Sequence, residues 1–439
     1  MTVKATKFKS SLGINYPSLR DDPLRTGLRW LAGKRADDGA EGLWRIHDKL
    51  YELTDFIERH PGGPEWLELT KGTDITEAFE THHLTVAPEN MLNKFYIRDA
   101  KSPRNSPFTF KNDGFYRKLK TNITKKLAEI PKRPADRSKT IADLLVASYI
   151  GLALLAVIWK SFTCGMLSGI FLSLTCIAAH NFFHQKDNIR MYYFNFTLMD
   201  YSEWRISHAL SHHLHTNTIN DLEISALEPF LQYLPGNKHG LLRFLHIVIS
   251  PGVYLFLFLG SFIRSIISLF LKEKKYSPVI FLAFSVLGLM VVVSGEVIFP
   301  LTMFGFIQFT GSLHFGAVGL NAAHHHPDIF HDGDTPRPKH EMDWGIHQLD
   351  AVMDRKDITG SHFLVLTNFG DHALHHLFPT IDHGLLEYLY PTFLKTCADF
   401  GIEWRLCSQI ELVKGQFRQL IKTDPNAEPP RPLKPFKSL

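Results

Sequence analysis

The chain of 439 residues has few cysteines and no pattern that would put them to use. Its four cysteines show no CxxC spacing, and two of them, Cys164 and Cys176, fall inside apolar runs. This pattern argues against a disulfide framework and against a thiolate metal site. The chain must therefore be stabilised by burial of apolar surface rather than by covalent cross-links.

Excess charge and terminal targeting signals are also lacking. The formal net charge is only +4, and no stretch interleaves aromatic with basic residues, so we expect no nucleic-acid partner. The first residues, Met1 to Lys7, contain no apolar segment of the kind found in signal peptides. Membrane insertion is therefore expected to depend on internal segments.

Long apolar runs are present in the middle of the chain, although the mean hydropathy of −0.06 hides them. They cover residues 141–159, 162–179, 244–270, 278–297 and 299–318. With their flanks, such runs reach the roughly 20 residues that a helix needs to cross a bilayer. The sequence thus predicts an integral membrane protein.

Three histidine clusters lie among these runs: His180-Asn-Phe-Phe-His184, His208-Ala-Leu-Ser-His212-His213 and His372-Ala-Leu-His375-His376. Histidines at i and i+3 or i+4 share one face of a helix, so each cluster can direct two or three ring nitrogens at one point. Imidazole ligands suit iron, and they also suit zinc. The eight histidines together predict a site for two metal ions.

The first third of the chain is polar. Residues 1–42 show no sustained periodicity and are interpreted as a leader. From Trp44 the pattern alternates as in a short strand, and Thr54-Asp55 then resembles a helix start. His60-Pro61-Gly62-Gly63 predicts a tight turn that presents the imidazole of His60 at the lip of a pocket.

With the segment Gly72 to Phe79 that follows, residues 43–105 resemble the haem-binding domain of cytochrome b5, an α+β fold. The resemblance implies haem b held by two axial histidines, of which His60 is the first. The second is His82 or His83. Domains of this type that are fused to desaturases place it four residues after the phenylalanine, which selects His83. Two imidazoles close the coordination, so such a haem carries single electrons and does not bind oxygen.

After a linker at 106–138, the histidine clusters and apolar runs of residues 139–420 resemble the membrane fatty acid desaturases and related hydroxylases. The resemblance implies an all-α, multi-span membrane domain, followed here by a polar tail at 421–439. Residues 343–349 and 377–379 are similar to the segments around the third histidine box in the subgroup fused to cytochrome b5. Within it, the group described as cytochrome b5-related proteins is the nearest match.

This resemblance implies a non-haem di-iron centre with one further ligand before the third box, where the chain reads Asn321-Ala-Ala-His324-His325-His326-Pro327. His324 and His325 are equally supported there, and His326 is disfavoured because it precedes proline. Asn321 is a candidate for positioning a metal-bound water. The expected ligand set, with His325 as its ninth member, is His180, His184, His208, His212, His213, His325, His372, His375 and His376.

The boxes also depart from the pattern of the front-end desaturases. Those enzymes usually have glutamine at the position of His372, a first box that reads HDxGH, and one residue fewer between the histidines of the second box. No departure removes a nitrogen ligand, but together they leave the double-bond position open. The other histidines are expected to be hydrogen-bonded or surface residues: His215, His239, His246, His314, His331, His340, His347, His362 and His383.

The three boxes can meet at one site only if an even number of spans separates them. Residues 141–159 and 162–179 form a hairpin, but three apolar runs lie between the second and third boxes. We therefore expect two full spans and one in-plane or hairpin segment. The run 244–270 is the candidate for the exception, because it contains Pro251 and Arg264, a charge that is costly at the bilayer centre.

The function that the resemblance implies is oxygen-dependent desaturation of acyl chains, with electrons relayed by the chain's own haem domain. The implied partners are an NADH-linked cytochrome b5 reductase, an acyl-lipid or acyl-CoA substrate, and membrane lipid. The implied location is the endoplasmic reticulum, with haem and boxes facing the cytosol. A hydroxylase on the same di-iron scaffold and a non-catalytic haem electron carrier or lipid-binding protein remain alternatives.

Overall fold

A computed structural model describes residues 8–236, 238 and 240–430. His239, the first seven residues of the predicted leader and the last nine of the predicted tail lie outside the described residues. The four cysteines are free, as the sequence predicts. The fold confirms an α+β N-terminal domain followed by a helical domain.

Short segments form the N-terminal part, and the long apolar helices that follow are separated and succeeded by further short helices. The α-helices are Gly27–Asp37, Pro64–Thr70, Thr76–His82, Ala87–Leu92, Phe115–Leu127, Arg133–Ile158, Phe162–Phe183, Tyr201–Trp204, His213–His215, Leu222–Ala226, Leu242–Phe270, Leu282–Ser294, Ile298–Gly319, Trp344–Asp350, His362–Thr367, His372–Leu377, His383–Leu386, Tyr390–Asp399 and Gln409–Ile421. A π-helix covers Arg205–His212. The 3-10 helices are Thr54–Arg59, Ile189–Phe196, Pro278–Phe281, Lys339–Glu341 and Glu387–Leu389. The strands are Trp44–Ile46, Lys49–Tyr51, Tyr96–Asp99, Asp354–Arg355 and Leu406–Cys407.

The N-terminal domain is built on an antiparallel three-stranded sheet in which Lys49–Tyr51 is the central strand. Trp44 pairs with Tyr51, so the alternating pattern that begins at Trp44 becomes a tight hairpin. Apolar side chains from the sheet and the short helices form the domain core, in which Trp44 and Leu53 are buried. This core holds the HPGG turn in place beside the helices.

Part of the predicted leader is structured. Thr26 caps the helix Gly27–Asp37 by accepting a hydrogen bond from the backbone N–H of Arg29. The indole of Trp30 donates to the carbonyl of Asn220 at 2.8 Å, which ties this helix to the region of the second box. The helix depends on such long-range contacts rather than on a periodic apolar face, which explains why the sequence pattern did not predict it.

Two apolar helices, Arg133–Ile158 and Phe162–Phe183, form the predicted hairpin. Lys160 adopts a left-handed conformation (φ +49°) in the short connection. The second helix packs closely on Ile298–Gly319, where a Cβ on Gly169 would lie only 2.8 Å from the carbonyl oxygen of Ile307. His180 therefore lies at the end of a well-packed helix, and its ring is fixed by its neighbours.

Among the residues that the structure describes, three helices are long and apolar enough to cross a membrane, namely Arg133–Ile158, Phe162–Phe183 and the segment Arg243–Phe270. Both ends of the last one contact the polar part of the protein, however. Before it, Lys238 Nζ donates to the carbonyl of Gln419 at 2.7 Å, and after it, Glu273 pairs with Arg29 at 2.8 Å. The run 244–270 forms one continuous helix with Pro251 inside it, and whether it lies in the membrane plane stays a prediction.

Candidate metal centre and haem cavity

A cavity of about 620 Å³ lies in the N-terminal domain, between the HPGG turn and the helix Thr76–His82. Apolar side chains such as Phe56 and Phe79 line it together with His60 and His83. The ring centroids of these two histidines are 6.2 Å apart. That separation leaves room for one metal ion with two nitrogen bonds of about 2 Å.

Both candidate axial histidines are oriented by the backbone. Nδ1 of His60 donates to the carbonyl of Gly63 at 2.8 Å, and Nδ1 of His83 donates to the carbonyl of Phe79 at 3.0 Å. Such bonds fix the tautomer, so that Nε2 carries the lone pair that a metal ion needs. The residues therefore fit a haem with two axial imidazoles.

His82 has a different environment from His83. Its Nδ1 donates to the carbonyl of Ala78, and its ring packs against Trp66 with centroids 5.4 Å apart. Burial lowers the pKa of both His82 and His83 to about 4, so both rings are neutral at pH 7. The ring that faces His60 is His83, which is the geometry expected from the sequence.

The three boxes converge in two adjacent groups of buried histidines. Within each group, the candidate ligand atoms lie within 4.8 Å of one another. The first group contains His180, His184, His208, His213 and His375. The second group contains His212, His324, His372 and His376.

The π-helix Arg205–His212 explains the extra residue in the second box. The backbone N–H of His213 bonds to the carbonyl of His208, five residues earlier. A π-turn accommodates one more residue than an α-turn, so residues five apart share a face. His208 and His213 consequently meet in the first group, with their Nε2 atoms 3.0 Å apart, while His212 turns to the second group.

The structure brings His324, rather than His325, to the second group. Nε2 of His324 lies 2.7 Å from Nε2 of His372 and 3.0 Å from Nε2 of His376. His325 points away and stacks on Tyr233, with ring centroids 3.5 Å apart. The expectation of His325 in the ligand set is therefore corrected to His324, because adjacent residues in this turn face opposite sides.

A second layer of polar groups orients the ligands. Nδ1 of His208 bonds to Glu223 at 3.0 Å, and Nδ1 of His212 bonds to Asp221 at 2.9 Å. In the second group, Nδ1 of His376 bonds to the side-chain oxygen of Gln348 at 3.0 Å. Asp221 and Glu223 were not predicted from the sequence, although two carboxylates so soon after a histidine box could have indicated this role.

The donor chemistry of the first group fits a metal ion. Nε2 of His180 lies 2.8–3.1 Å from the corresponding atoms of three other rings, those of His184, His208 and His375. A neutral imidazole nitrogen carries either one proton or one lone pair, so hydrogen bonding cannot satisfy all these contacts. A transition-metal cation accepts lone pairs from several imidazoles at once.

Most of the other described histidines have partners outside the two groups. Nδ1 of His314 bonds to Ser173, Nε2 of His347 donates to the carbonyl of Thr216, and Nε2 of His362 bonds to Ser138. His383 is different, because its ring lies 4.5 Å from that of His375 and both of its buried nitrogens lack a partner. The Asn321 amide donates to Ala317 rather than reaching the histidines.

The haem cavity and the first histidine group are joined directly. His184, Gln185 and Lys186 form part of the wall of the haem cavity. The backbone N–H of Asp187 donates to the carbonyl of Gly62 in the HPGG turn at 3.2 Å. The loop after the first box therefore contacts the turn that carries His60.

Comparisons with known proteins match two separate parts of the chain. A family model described as Fatty acid desaturase matches residues 158–407, and one described as Cytochrome b5-like Heme/Steroid binding domain matches residues 31–101, which begins within the predicted leader. No solved structure matches the chain.

Relatives extend over nearly the whole chain. A cytochrome b5-related protein of Drosophila melanogaster is 43% identical, over 96% of this chain and 98% of its own length. A probable Delta(5) fatty acid desaturase C of Dictyostelium discoideum is 24% identical over 83% of this chain and 88% of its own. An acyl-lipid (8-3)-desaturase of Mortierella alpina is 21% identical over 85% of this chain and 90% of its own length.

Proposed function

Because the chain belongs to the fatty acid desaturase family and carries a cytochrome b5-like domain, we propose that it desaturates acyl chains at a di-iron centre with electrons from its own haem. The observation that carries this proposal is the position of the two histidine groups. They lie between the haem cavity, whose wall includes His184, and a second cavity lined by His208, His212, His324 and His372.

One iron would be held by the first histidine group and the other by the second. When bound, iron would activate oxygen for the removal of hydrogen from an unactivated methylene. The protein's own contribution is to orient the imidazoles through Asp221, Glu223 and Gln348, and to keep them buried. Outer partners of this kind typically contribute 10- to 100-fold in metal affinity or activity.

The haem would be held by His60 and His83. Held by both imidazoles, such a haem would supply electrons one at a time. The wall that His184 and Gln185 add to the haem cavity supports direct transfer within the chain. Tethering keeps the effective concentration of the donor high, so no separate cytochrome is needed. An NADH-linked cytochrome b5 reductase is the proposed source of electrons.

The second cavity, of about 170 Å³, is the proposed site of the reacting segment of the acyl chain. Trp204, Phe315 and Phe369 line it beside the box histidines. These apolar rings would exclude water from the bound acyl chain and hold one of its methylene groups close to both histidine groups. The substrate is proposed to be an acyl-lipid or acyl-CoA, taken up from the endoplasmic reticulum membrane on the cytosolic side.

Anaerobic metal and haem analysis of detergent-purified protein tests the proposal. We expect non-haem iron in addition to haem, loss of that iron alone in His375→Ala, and loss of the haem spectrum alone in His60→Ala. His340→Ala is the matched control, since this ring is exposed. Haem without non-haem iron, or with zinc, would favour the electron carrier, and hydroxylated rather than desaturated lipid products would favour the hydroxylase.

A further inference from the structure

Arg264 contributes a cation to the wall of the acyl cavity. It lies on the helix Leu242–Phe270, together with Leu257, Ser261 and Ser265, which line the same cavity. Residues at i, i+4, i+7 and i+8 share one helix face, so the cavity borders a polar strip on an otherwise apolar helix. A charge at such a position is costly unless an opposite charge offsets it.

No hydrogen bond or ion pair engages Arg264 within residues 8–236, 238 and 240–430. The other charged residues of the cavity wall have direct hydrogen-bond or ion-pair partners. Arg25 donates to backbone carbonyls, and Asp221 and Glu223 accept from box histidines. Arg264 is therefore the charge in this wall that still lacks a direct partner.

Glu203 is the carboxylate that acts on Arg264 through space, but it already has partners. It accepts the backbone N–H of Gly27 at 3.1 Å, and Lys274 Nζ lies 3.6 Å from it. Lys274 also pairs with Asp200, so it is shared between two carboxylates, and Arg264 acts on this cluster only through space, without a direct ion pair. An anion that enters the cavity would not have to displace an existing ion pair.

We propose that Arg264 binds the oxyanion at the polar end of the acyl substrate, either a carboxylate or a phosphate. A guanidinium offers paired N–H donors that match both groups. The same cavity is lined by His208, His212, His324 and His372, so an anion held at Arg264 would set how far along the chain the metal centre acts. This inference rests on the proposed function and adds the anchor for its substrate.

Equilibrium binding to the full-length protein tests it with four C18 ligands: a fatty acid, the alcohol of equal length, the acyl-CoA and a lysophosphatidic acid. We expect wild type to bind at least one anionic ligand about tenfold or more tightly than the alcohol. Arg264→Gln should abolish that preference and leave the affinity for the alcohol unchanged, while Arg264→Lys retains part of it. Lys275→Gln, an exposed charge beyond the helix, is the control.

The ligand whose preference is lost identifies the source of the anion: carboxylate for the fatty acid, phosphate for the other two. An anion preference that Arg264→Gln leaves intact, or an equal affinity for all four ligands in wild type, would overturn the role of Arg264 but not the acyl cavity. Failure to bind any of them, the alcohol included, would overturn both. Unchanged affinity for the alcohol shows that the membrane domain of each variant is folded, since haem absorbance reports on the N-terminal domain alone.

Discussion

Arg205 is fully buried and donates to Glu65 of the haem domain, 2.6 Å away. The same guanidinium pairs with Asp187 at 2.7 Å and donates to the carbonyl of Phe183, the residue before His184. It also lies over the ring of Trp66, at 4.6 Å from the centroid. One side chain thus fastens the haem domain to the first histidine box.

Arg205→Met is expected to loosen this connection. Glu65 and Asp187 are partly exposed. We therefore expect the contact between the haem domain and the first box to lose stability on the order of 2 kcal/mol, which is less than for a fully buried pair. Stopped-flow reduction should show slower oxidation of the haem by the non-haem centre, with an unchanged haem spectrum. Lys94→Gln, an exposed charge on the haem domain, should leave the rate at the wild-type value. Equal rates in Arg205→Met and wild type would contradict the connection.

Glu80 should make the haem domain acid-sensitive. Burial alone would raise its pKa, but hydrogen bonds with His47 and Arg117 lower it to about 2. A depressed carboxyl pKa stabilises the fold above the unfolded value near 4.5, and this contribution is lost as the pH falls toward 2. It amounts to roughly 3 kcal/mol at pH 7.

Thermal unfolding of wild type and Glu80→Gln, followed by haem absorbance, measures this contribution. The two proteins should differ most at pH 7 and converge as the pH falls below about 4.5. Glu89→Gln is a suitable control, because this carboxylate is only partly buried and lies 3.4 Å from the same Arg117. A difference that is independent of pH would show that Glu80 acts through packing rather than charge.

His324 and His325 should behave differently despite being neighbours. His324→Ala removes a member of the second group and should lower non-haem iron while the haem is retained. His325→Ala removes only a ring stacked on Tyr233, so the iron content should stay at the wild-type level. Iron analysis of the two variants decides the assignment, and the opposite result would restore His325 as the ligand.

Asp221 is expected to tune the second group from outside. Asp221→Asn keeps a side-chain oxygen that can cap the helix Leu222–Ala226 but removes the negative charge behind His212. We expect the apparent iron affinity to fall about 10- to 100-fold, as measured by competition with a chelator. Asp200→Asn, which also removes the charge that caps a short helix, tests the effect of losing a capping charge outside the two groups.

Much of the site follows from local patterns. The turn at His60 and the i, i+4 pair of the first box, His180 and His184, depend on nearby residues alone, so the sequence predicts them. The choice between His324 and His325 does not, because either ring could face the site after the helix ends. The helix at Gly27–Asp37 was missed for a related reason, since its stability comes from distant partners such as Asn220.

The sequence by itself determined the kinds of ligand and the two domains, because helix periodicity and turn chemistry act over a few residues. Only the tertiary structure decided how the histidines divide into two groups. That division depends on the π-turn between His208 and His213 and on the packing that brings His375 against His180. The tertiary structure also decided that Arg264 faces a cavity. The sequence shows only a charge that is costly within an apolar helix, because long-range packing sets which side of a helix is enclosed.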